Sequence, residues 1–344
     1  MRGVTAALLA AGALAGGGES RAVPVTLDAS SEGGSPAFDA LLELPGAPNG
    51  VGVVLLHGRG GNPDSAVVRQ LRTWLPGEGY TTLSIRLPEP ADLDGDGRPD
   101  FAEYEADVAG PGTVFPESYA RIRAALDHLE GLGVGRAFLV GFSMGSRIGA
   151  AHVARGQADE IPLLGFAGIG MRANSVDPLN TASVLDEIAI PVLDLYGDGD
   201  LPAAATAALR AAAYGGPPGA YTQVVLDCAD GLTVQACHKL VGLKGAGSGR
   251  ELERAVAAWM ASVRTAAVPA PPTPVLLLAG LALVGLAVRR ARRGPKMAAW
   301  AGIAGQRWRW GPCSRAGARG WRMPCRPRRS PTSTSITTGT RPRP

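Results

Sequence analysis

The chain has 344 residues, of which 46% are hydrophobic and 19% charged, and its formal net charge is +4 at pH 7. This length suffices for one large domain or two small ones. The charge is unevenly spread, because residues 23–268 hold 17 Lys and Arg against 29 Asp and Glu, a balance of −12. An acidic globular segment of this kind argues against nucleic acid as its partner.

The N-terminus has the pattern of a secretory signal peptide. Arg2 precedes an apolar, Ala-rich stretch at residues 4–15, and small residues follow it. We expect cleavage after Ala15 or Ala22, so residues 1–22 are predicted to be the signal peptide and the rest to be exported. The alternative is an ordinary buried N-terminal helix.

Residues 23–268 alternate between apolar runs and amphipathic stretches, which predicts a single α/β domain. Nearly continuous apolar runs separated by helices are typical of a mostly parallel sheet with helices on both faces. In such sheets the chemistry gathers at the carboxyl ends of the strands. The predicted strands are 51–56, 81–87, 137–140, 163–169, 191–196 and 221–226, and the predicted helices are 65–75, 117–132, 146–155, 203–213 and 250–263.

A G-x-S-x-G motif at residues 141–145 is the most informative pattern in the chain. It follows a predicted strand and precedes a predicted helix, with Ser143 at its centre. Small residues flank the serine in such a nucleophile elbow because the turn is strained, and the hydroxyl is thereby exposed to substrate. Ser143 is therefore the predicted nucleophile.

The base and the acid follow from the order of residues along the chain. A serine nucleophile needs a histidine base, which in turn needs a carboxylate to orient it. Of the four histidines, only His238 comes after the last predicted strand, where this chain order requires the base. Asp200 is the preferred acid because a proline closely follows it, and Asp198 on the same loop remains the alternative.

A glycine-rich turn follows the strand at residues 51–56. Its backbone N–H groups at Gly58, Arg59 and Gly60 are expected to approach a developing oxyanion, with the N–H of Met144 as a second donor. The alternative is a plain turn between a strand and a helix.

Together these residues resemble the α/β-hydrolase superfamily over about residues 40–265. The segments at 79–85 and 115–122 further resemble an uncharacterised bacterial subgroup, the DUF3530-like hydrolases. The resemblance implies a serine hydrolase and leaves its substrate open. With the predicted signal peptide, the main hypothesis is an exported enzyme that cleaves an ester, a thioester or a related acyl bond of a small molecule through an acyl-enzyme intermediate. It implies no cofactor for catalysis. A peptidase with the same triad and a non-catalytic, calcium-ordered surface module on this scaffold are the alternatives.

An acidic loop at residues 92–103 matches the spacing of a calcium-binding loop. Alternating carboxylates and one backbone carbonyl can wrap Ca²⁺, while a glycine permits the sharp turn. A solvated acidic loop is the alternative, and a bound ion would order a loop at the rim of the site without entering catalysis. The expected ligands are Asp92, Asp94, Asp96, Arg98 through its carbonyl, Asp100 and Glu103.

The cysteines fall into two pairs. Cys228 and Cys237 lie nine residues apart inside the exported domain, where oxidising conditions favour a disulfide. Two buried free thiols are the alternative for this pair. The other two, Cys313 and Cys325, lie in the basic tail.

The C-terminal end predicts a membrane attachment. A Pro-rich linker, an apolar run at 275–288 and an Arg cluster make up residues 269–293, and the basic cluster is expected to stay in the cytoplasm. This arrangement resembles the bacterial PEP-CTERM sorting tail, which implies processing by a sorting protease. Residues 294–344 are predicted to be a disordered basic tail. The domain is thus expected in the cell envelope or outside the cell.

Overall fold

The computed structural model of the protein describes residues 22–156, 161–244 and 250–267. The predicted signal peptide, apolar C-terminal run and basic tail lie outside these residues. Within the described ranges, no helix combines the length and the apolar character needed to cross a membrane.

Eight strands form one twisted sheet. They are β1 (Val23–Leu27), β2 (Phe38–Glu43), β3 (Val51–Leu56), β4 (Thr81–Ile85), β5 (Arg136–Phe142), β6 (Leu163–Ile169), β7 (Val192–Gly197) and β8 (Tyr221–Leu226). Their order across the sheet is β1-β2-β4-β3-β5-β6-β7-β8. Strands β3 to β8 pair in parallel, whereas β2 runs antiparallel to both β1 and β4.

Nine α-helices connect these strands within the described residues. They are α1 (Ala66–Trp74), α2 (Phe101–Ala109), α3 (Val114–Gly131), α4 (Met144–Ala154), α5 (Thr181–Leu185), α6 (Leu201–Ala205), α7 (Ala207–Ala213), α8 (Val234–His238) and α9 (Glu251–Ala267). Two short 3-10 helices add Ser30–Glu32 and Leu75–Glu78.

The central strands β3 to β7 are buried on both faces, which explains their apolar residues. Successive side chains of a strand point to opposite faces. In β3, Val53 and Leu55 therefore join the core beneath α1 and α9, while Val54 and Leu56 join the core beneath α3 and α4. The predicted fold class, a mostly parallel sheet with helices on both faces, is confirmed.

Four neighbouring strands of this sheet end close to one another at its carboxyl edge. His57 directly follows β3, Ser143 follows β5, Arg172 comes shortly after β6, and Asp200 comes shortly after β7. Parallel pairing brings these ends to the same side of the molecule. The fold therefore gathers residues that are far apart in sequence into one site.

Candidate active site

Ser143 lies on a strained turn between β5 and α4. Its backbone has φ 53° and ψ −113°, in a region that residues with a side chain rarely adopt. The flanking glycines make this turn feasible: a β-carbon on Gly145 would lie 2.5 Å from the carbonyl oxygens of Leu56 and His57, and one on Gly141 would overlap the Gly145 carbonyl. Packing thus dictates the G-x-S-x-G pattern.

A continuous chain of hydrogen bonds links the three residues predicted as a triad. Ser143 Oγ lies 2.9 Å from His238 Nε2, and His238 Nδ1 lies 2.5 Å from Asp200 Oδ2. A carboxylate can only accept, so Nδ1 carries the proton and Nε2 is left free to accept from the serine hydroxyl. This tautomer is the one that a general base needs.

Of the two candidate aspartates, Asp200 is the one that contacts the histidine. Asp198 instead accepts a hydrogen bond from the backbone N–H of Cys228 at 2.8 Å. Burial alone would raise the pKa of Asp200, but the hydrogen bond to His238 and the charge of Arg172 outweigh it and hold the pKa below its ordinary value. Asp200 therefore remains ionised beside the histidine.

Three of the four predicted oxyanion residues line the cavity that contains Ser143, namely Gly58, Arg59 and Met144. Met144 is the first residue of α4, so its N–H has no partner within the helix. Gly60 is the exception. It adopts φ 62° in the turn that Gly61 N–H closes onto the Gly58 carbonyl, and it lines a neighbouring depression. The role of Gly60 as an oxyanion donor stays a prediction.

His57 supports the glycine-rich turn and does not line this cavity. The N–H of Leu87 donates to its Nε2 at 2.9 Å, so Nδ1 carries the proton and donates to the Gly58 carbonyl at 2.7 Å. Burial lowers the pKa of His57 to about 4. The ring is neutral at pH 7 and fixes the carbonyl next to the predicted oxyanion donors.

The cavity has a volume of about 220 Å³, and its wall contains residues that the sequence patterns did not identify. Phe101 from α2, Arg147 from α4 and Arg172 from the loop after β6 line it, together with Lys239. The position of Arg172 shortly after a strand end could have identified it from the sequence as a candidate site residue. For Arg147, the signal was its spacing of one helical turn from Ser143.

The acidic loop does not assemble the full ligand set expected for calcium. Oxygens of Asp92, Asp94 and Asp96 lie within 4.8 Å of one another, and all three side chains are exposed. Asp100 and Glu103, however, form a capping box at the start of α2: Asp100 Oδ1 accepts from Glu103 N–H, and Glu103 Oε2 accepts from Asp100 N–H.

The remaining contacts of this loop also fall on its own backbone. Glu103 Oε1 accepts from the N–H of Leu93, and Arg98 donates its N–H to Asp96. Asp100 and Glu103, two of the expected ligands, thus form hydrogen bonds to the backbone of the loop and of α2. Because α2 begins at Phe101, the capping box fixes a residue of the cavity wall, and calcium binding by the other carboxylates stays a prediction.

Cys228 and Cys237 are joined by a disulfide, with their Cα atoms 5.8 Å apart. The bond connects the loop after β8 to α8, whose last residue is His238. The two sulfurs pack against Gly197 at the end of β7, where a β-carbon would lie 2.5 Å from Cys237 Sγ and 2.7 Å from Cys228 Sγ. The disulfide thus closes the segment that carries His238 and packs it against the end of β7, three residues before Asp200.

Solved structures show the same fold. A dienelactone hydrolase from Anabaena variabilis matches with a TM-score of 0.51 and 18% identity, over 71% of this chain and 99% of its own. A cold-adapted esterase from an Arctic intertidal metagenomic library matches with a TM-score of 0.52 and 17% identity, over 71% and 94% of the two chains. These matches show that the chain has the α/β-hydrolase fold.

Neither a protein-family model nor a curated protein sequence matches the chain. The finer resemblances, to the DUF3530-like subgroup and to the PEP-CTERM tail, stay predictions.

Proposed function

We propose that this protein is a serine hydrolase that cleaves an ester or thioester of a small molecule through an acyl-enzyme intermediate. The observation that carries the proposal is the unbroken chain from Ser143 Oγ through His238 to Asp200, at 2.9 and 2.5 Å. A fold alone does not define an activity, but this geometry has the nucleophile, base and orienting acid in their required contacts.

In the first half of the proposed reaction, Ser143 Oγ attacks the carbonyl carbon of the substrate. Its proton passes to His238 Nε2, and Asp200 stabilises the resulting imidazolium. The N–H groups of Met144 and Arg59 would receive the developing oxyanion, aided by the positive end of α4. Collapse of the tetrahedral intermediate expels the alcohol or thiol, which takes the proton from Nε2.

In the second half, water takes the place of the departed alcohol. His238 Nε2 accepts a proton from this water as its oxygen attacks the acyl carbon, and the same oxyanion donors act again. The second collapse breaks the bond to Ser143 Oγ, which recovers its proton from Nε2. The products are a carboxylic acid and the regenerated enzyme.

A panel of p-nitrophenyl esters with acyl chains of increasing length tests this proposal on residues 23–268. We expect burst kinetics, and for Ser143→Ala a loss of kcat of about 10³-fold or more. Ser262→Ala, at an exposed serine on α9, is the matched control and should retain full activity. Absence of turnover for every ester, or equal turnover by Ser143→Ala, would overturn the proposal and favour the non-catalytic scaffold.

We also propose that the reaction takes place outside the cytoplasm, with the chain attached to the membrane through residues 275–288. The disulfide between Cys228 and Cys237 supports export, because such bonds persist in oxidising compartments. Fractionation of cells that express the full chain should place it in the membrane fraction, while a chain that ends at residue 268 should be recovered soluble and outside the cytoplasm. Recovery of either form in the cytoplasm would contradict this proposal.

A further inference from the structure

The cavity around Ser143 is strongly cationic although the domain around it is acidic. Arg59, Arg147, Arg172 and Lys239 line it, and none of the described residues that line it is acidic. Residues 23–268 nevertheless carry a balance of −12. The four positive side chains around this small cavity therefore have the opposite sign to the net charge of the domain. Low-dielectric walls concentrate the electric field that these side chains produce.

Arg147 is the central member of this group. It follows Ser143 by one turn of α4, and only 5% of its surface is exposed. Two hydrogen bonds hold its guanidinium: Nη2 donates to Asn174 Oδ1 at 2.9 Å, and Nη1 donates to the Leu179 carbonyl. Its Cζ lies 4.9 Å from the centre of the Phe101 ring. The guanidinium is thus fixed in place before any ligand arrives.

This buried cation has no carboxylate in salt-bridge contact among the residues that the structure describes. Asn174 and the Leu179 carbonyl are neutral acceptors. Glu105, whose negative charge also acts on Arg147, accepts a hydrogen bond from Ser175 Oγ and forms no ion pair with the arginine. A buried charge without a counter-ion is costly, so an anion entering the cavity would be stabilised there.

The other cations have different positions. Arg172 donates from Nη2 to Asp200 Oδ1 at 3.1 Å, so part of its charge already serves the triad. Arg59 and Lys239 are exposed. Exposed charges raise the rate of encounter with a ligand of opposite sign, whereas a fixed, desolvated guanidinium selects it.

We propose that this site hydrolyses small esters that carry a carboxylate, which Arg147 binds while Ser143 attacks the ester carbonyl. A guanidinium has the planar fork that matches a carboxylate. The cavity of about 220 Å³ is smaller than the roughly 300 Å³ at which pockets for drug-sized ligands begin, which favours a short substrate. The inference rests on the proposed serine hydrolase function and names its substrate class.

Two pairs of esters test the inference and show which side of the ester bears the charge. For the acyl side, mono-p-nitrophenyl adipate is compared with its neutral methyl ester. For the alcohol side, 4-acetoxybenzoate is compared with methyl 4-acetoxybenzoate. We expect kcat/KM for the anionic member of at least one pair to exceed that for its neutral partner about 10-fold or more.

Arg147→Met should remove this preference, so that kcat/KM for the anionic ester no longer exceeds that for its neutral partner. Arg147→Lys keeps the charge without the planar fork and should retain only part of the preference. Because Arg147 also holds the Leu179 carbonyl, a second measurement uses the unchanged protein: adipate should inhibit hydrolysis of a neutral ester competitively, and the uncharged adipamide should not.

Failure of the inference is distinguishable from failure of the proposed function. Equal kcat/KM for charged and neutral esters, with no inhibition by adipate, would overturn the substrate class while Ser143-dependent turnover of neutral esters continued. If neither ester class were hydrolysed, the proposed function would fail as well. A preference that persisted in Arg147→Met would exclude Arg147 as the carboxylate's partner.

Discussion

A β-carbon on Gly197 would lie 2.5 Å from the sulfur of Cys237, the residue that directly precedes His238. The disulfide therefore rests on the backbone of the loop that leads to Asp200. Its packing therefore affects both His238 and the loop that carries Asp200. The cysteines are for this reason expected to position the base.

Replacing both cysteines should weaken the fold and slow the reaction. For Cys228→Ala with Cys237→Ala, we expect a loss of roughly 2–4 kcal/mol in the free energy of unfolding, as is typical when a disulfide is removed. We also expect a lower kcat, because α8 loses its attachment. Urea unfolding and ester turnover measure the two effects.

Reduction supplies the control for this prediction. A thiol reductant should lower the free energy of unfolding and the kcat of the parent protein to those of the double variant. It should change neither quantity in the variant. Parent-like turnover and stability in the double variant would contradict the positioning role.

The two aspartates after β7 should differ sharply in their effect on turnover. Asp200→Asn removes the carboxylate that orients His238, and comparable triad changes reduce kcat by about 10⁴-fold. Asp198→Asn alters a residue whose carboxylate accepts from Cys228 N–H, so its effect should be far smaller. Steady-state kinetics on both variants provide the comparison. Equal losses of kcat in the two variants would contradict the assignment of Asp200 as the acid.

The elbow glycine at position 145 should tolerate no side chain. A methyl group there would lie 2.5 Å from two backbone carbonyl oxygens, so Gly145→Ala should destabilise the protein by about 1–3 kcal/mol or more and displace Ser143. Gly131, at the end of α3, is the matched control, because a β-carbon added there would meet no heavy atom within 4 Å apart from its chain neighbours and the nearby backbone of its own helix.

At that control site, Gly131→Ala should leave activity unchanged and add about 0.5–1 kcal/mol of stability through its helix propensity. Thermal unfolding of the two variants tests both expectations. A Gly145→Ala variant with the stability of the parent would show that the turn has room that the structure does not provide.

His57 should make the stability of the fold depend on pH. Its pKa is lowered from 6.5 to about 4 in the folded protein, so the unfolded chain binds a proton at higher pH than the native one does. The contribution of neutral His57 to the free energy of unfolding is fully present above pH 6.5 and is lost as the pH falls toward 4. The whole contribution is about 3 kcal/mol.

Urea unfolding at pH 7.5 and 4.5 measures this contribution. Between these two pH values, the free energy of unfolding of the parent should fall by roughly 2–3 kcal/mol more than that of His57→Gln. The glutamine has no group that titrates in this range. The comparison cancels the carboxylates, which are common to both proteins. Equal pH-dependent losses would show that His57 does not remain neutral in the folded state.

The buried parallel strands were the most predictable part of the fold. The bounds predicted for β3 and β6 are those of the structure, because buried strands in such a sheet are short apolar runs between turns and helices. The antiparallel strands β1 and β2 at the sheet edge were missed. Pro24 lies in β1, which is largely exposed and lacks the continuous apolar signal.

Two local patterns in the sequence are compatible with more than one structure. The spacing of Asp100 and Glu103 suits a calcium loop and a capping box equally well, and only the structure shows that α2 starts there. The Ala-rich stretch at 203–213 predicted one helix, but it divides into α6 and α7 at Thr206, whose hydroxyl donates to the Pro202 carbonyl.

The predicted triad follows from chain order, whereas the buried environment of Arg147 does not. Ser143, Asp200 and His238 each follow a strand in the order that the fold requires, so no long-range packing had to be known. The environment of Arg147 depends on the loop that carries Asn174 and Leu179 and on Phe101 from α2. Such contacts arise only from the tertiary structure.

The position of a fluorophosphonate adduct tests the central claim most directly. Such a probe reacts with an activated serine, and mass spectrometry of a tryptic digest would locate it. We predict a single phosphonylated site at Ser143, in the peptide 137–147, and no labelling of Ser143→Ala. An adduct on another residue, or equal labelling of Ser143→Ala, would contradict the assignment of Ser143 as the nucleophile.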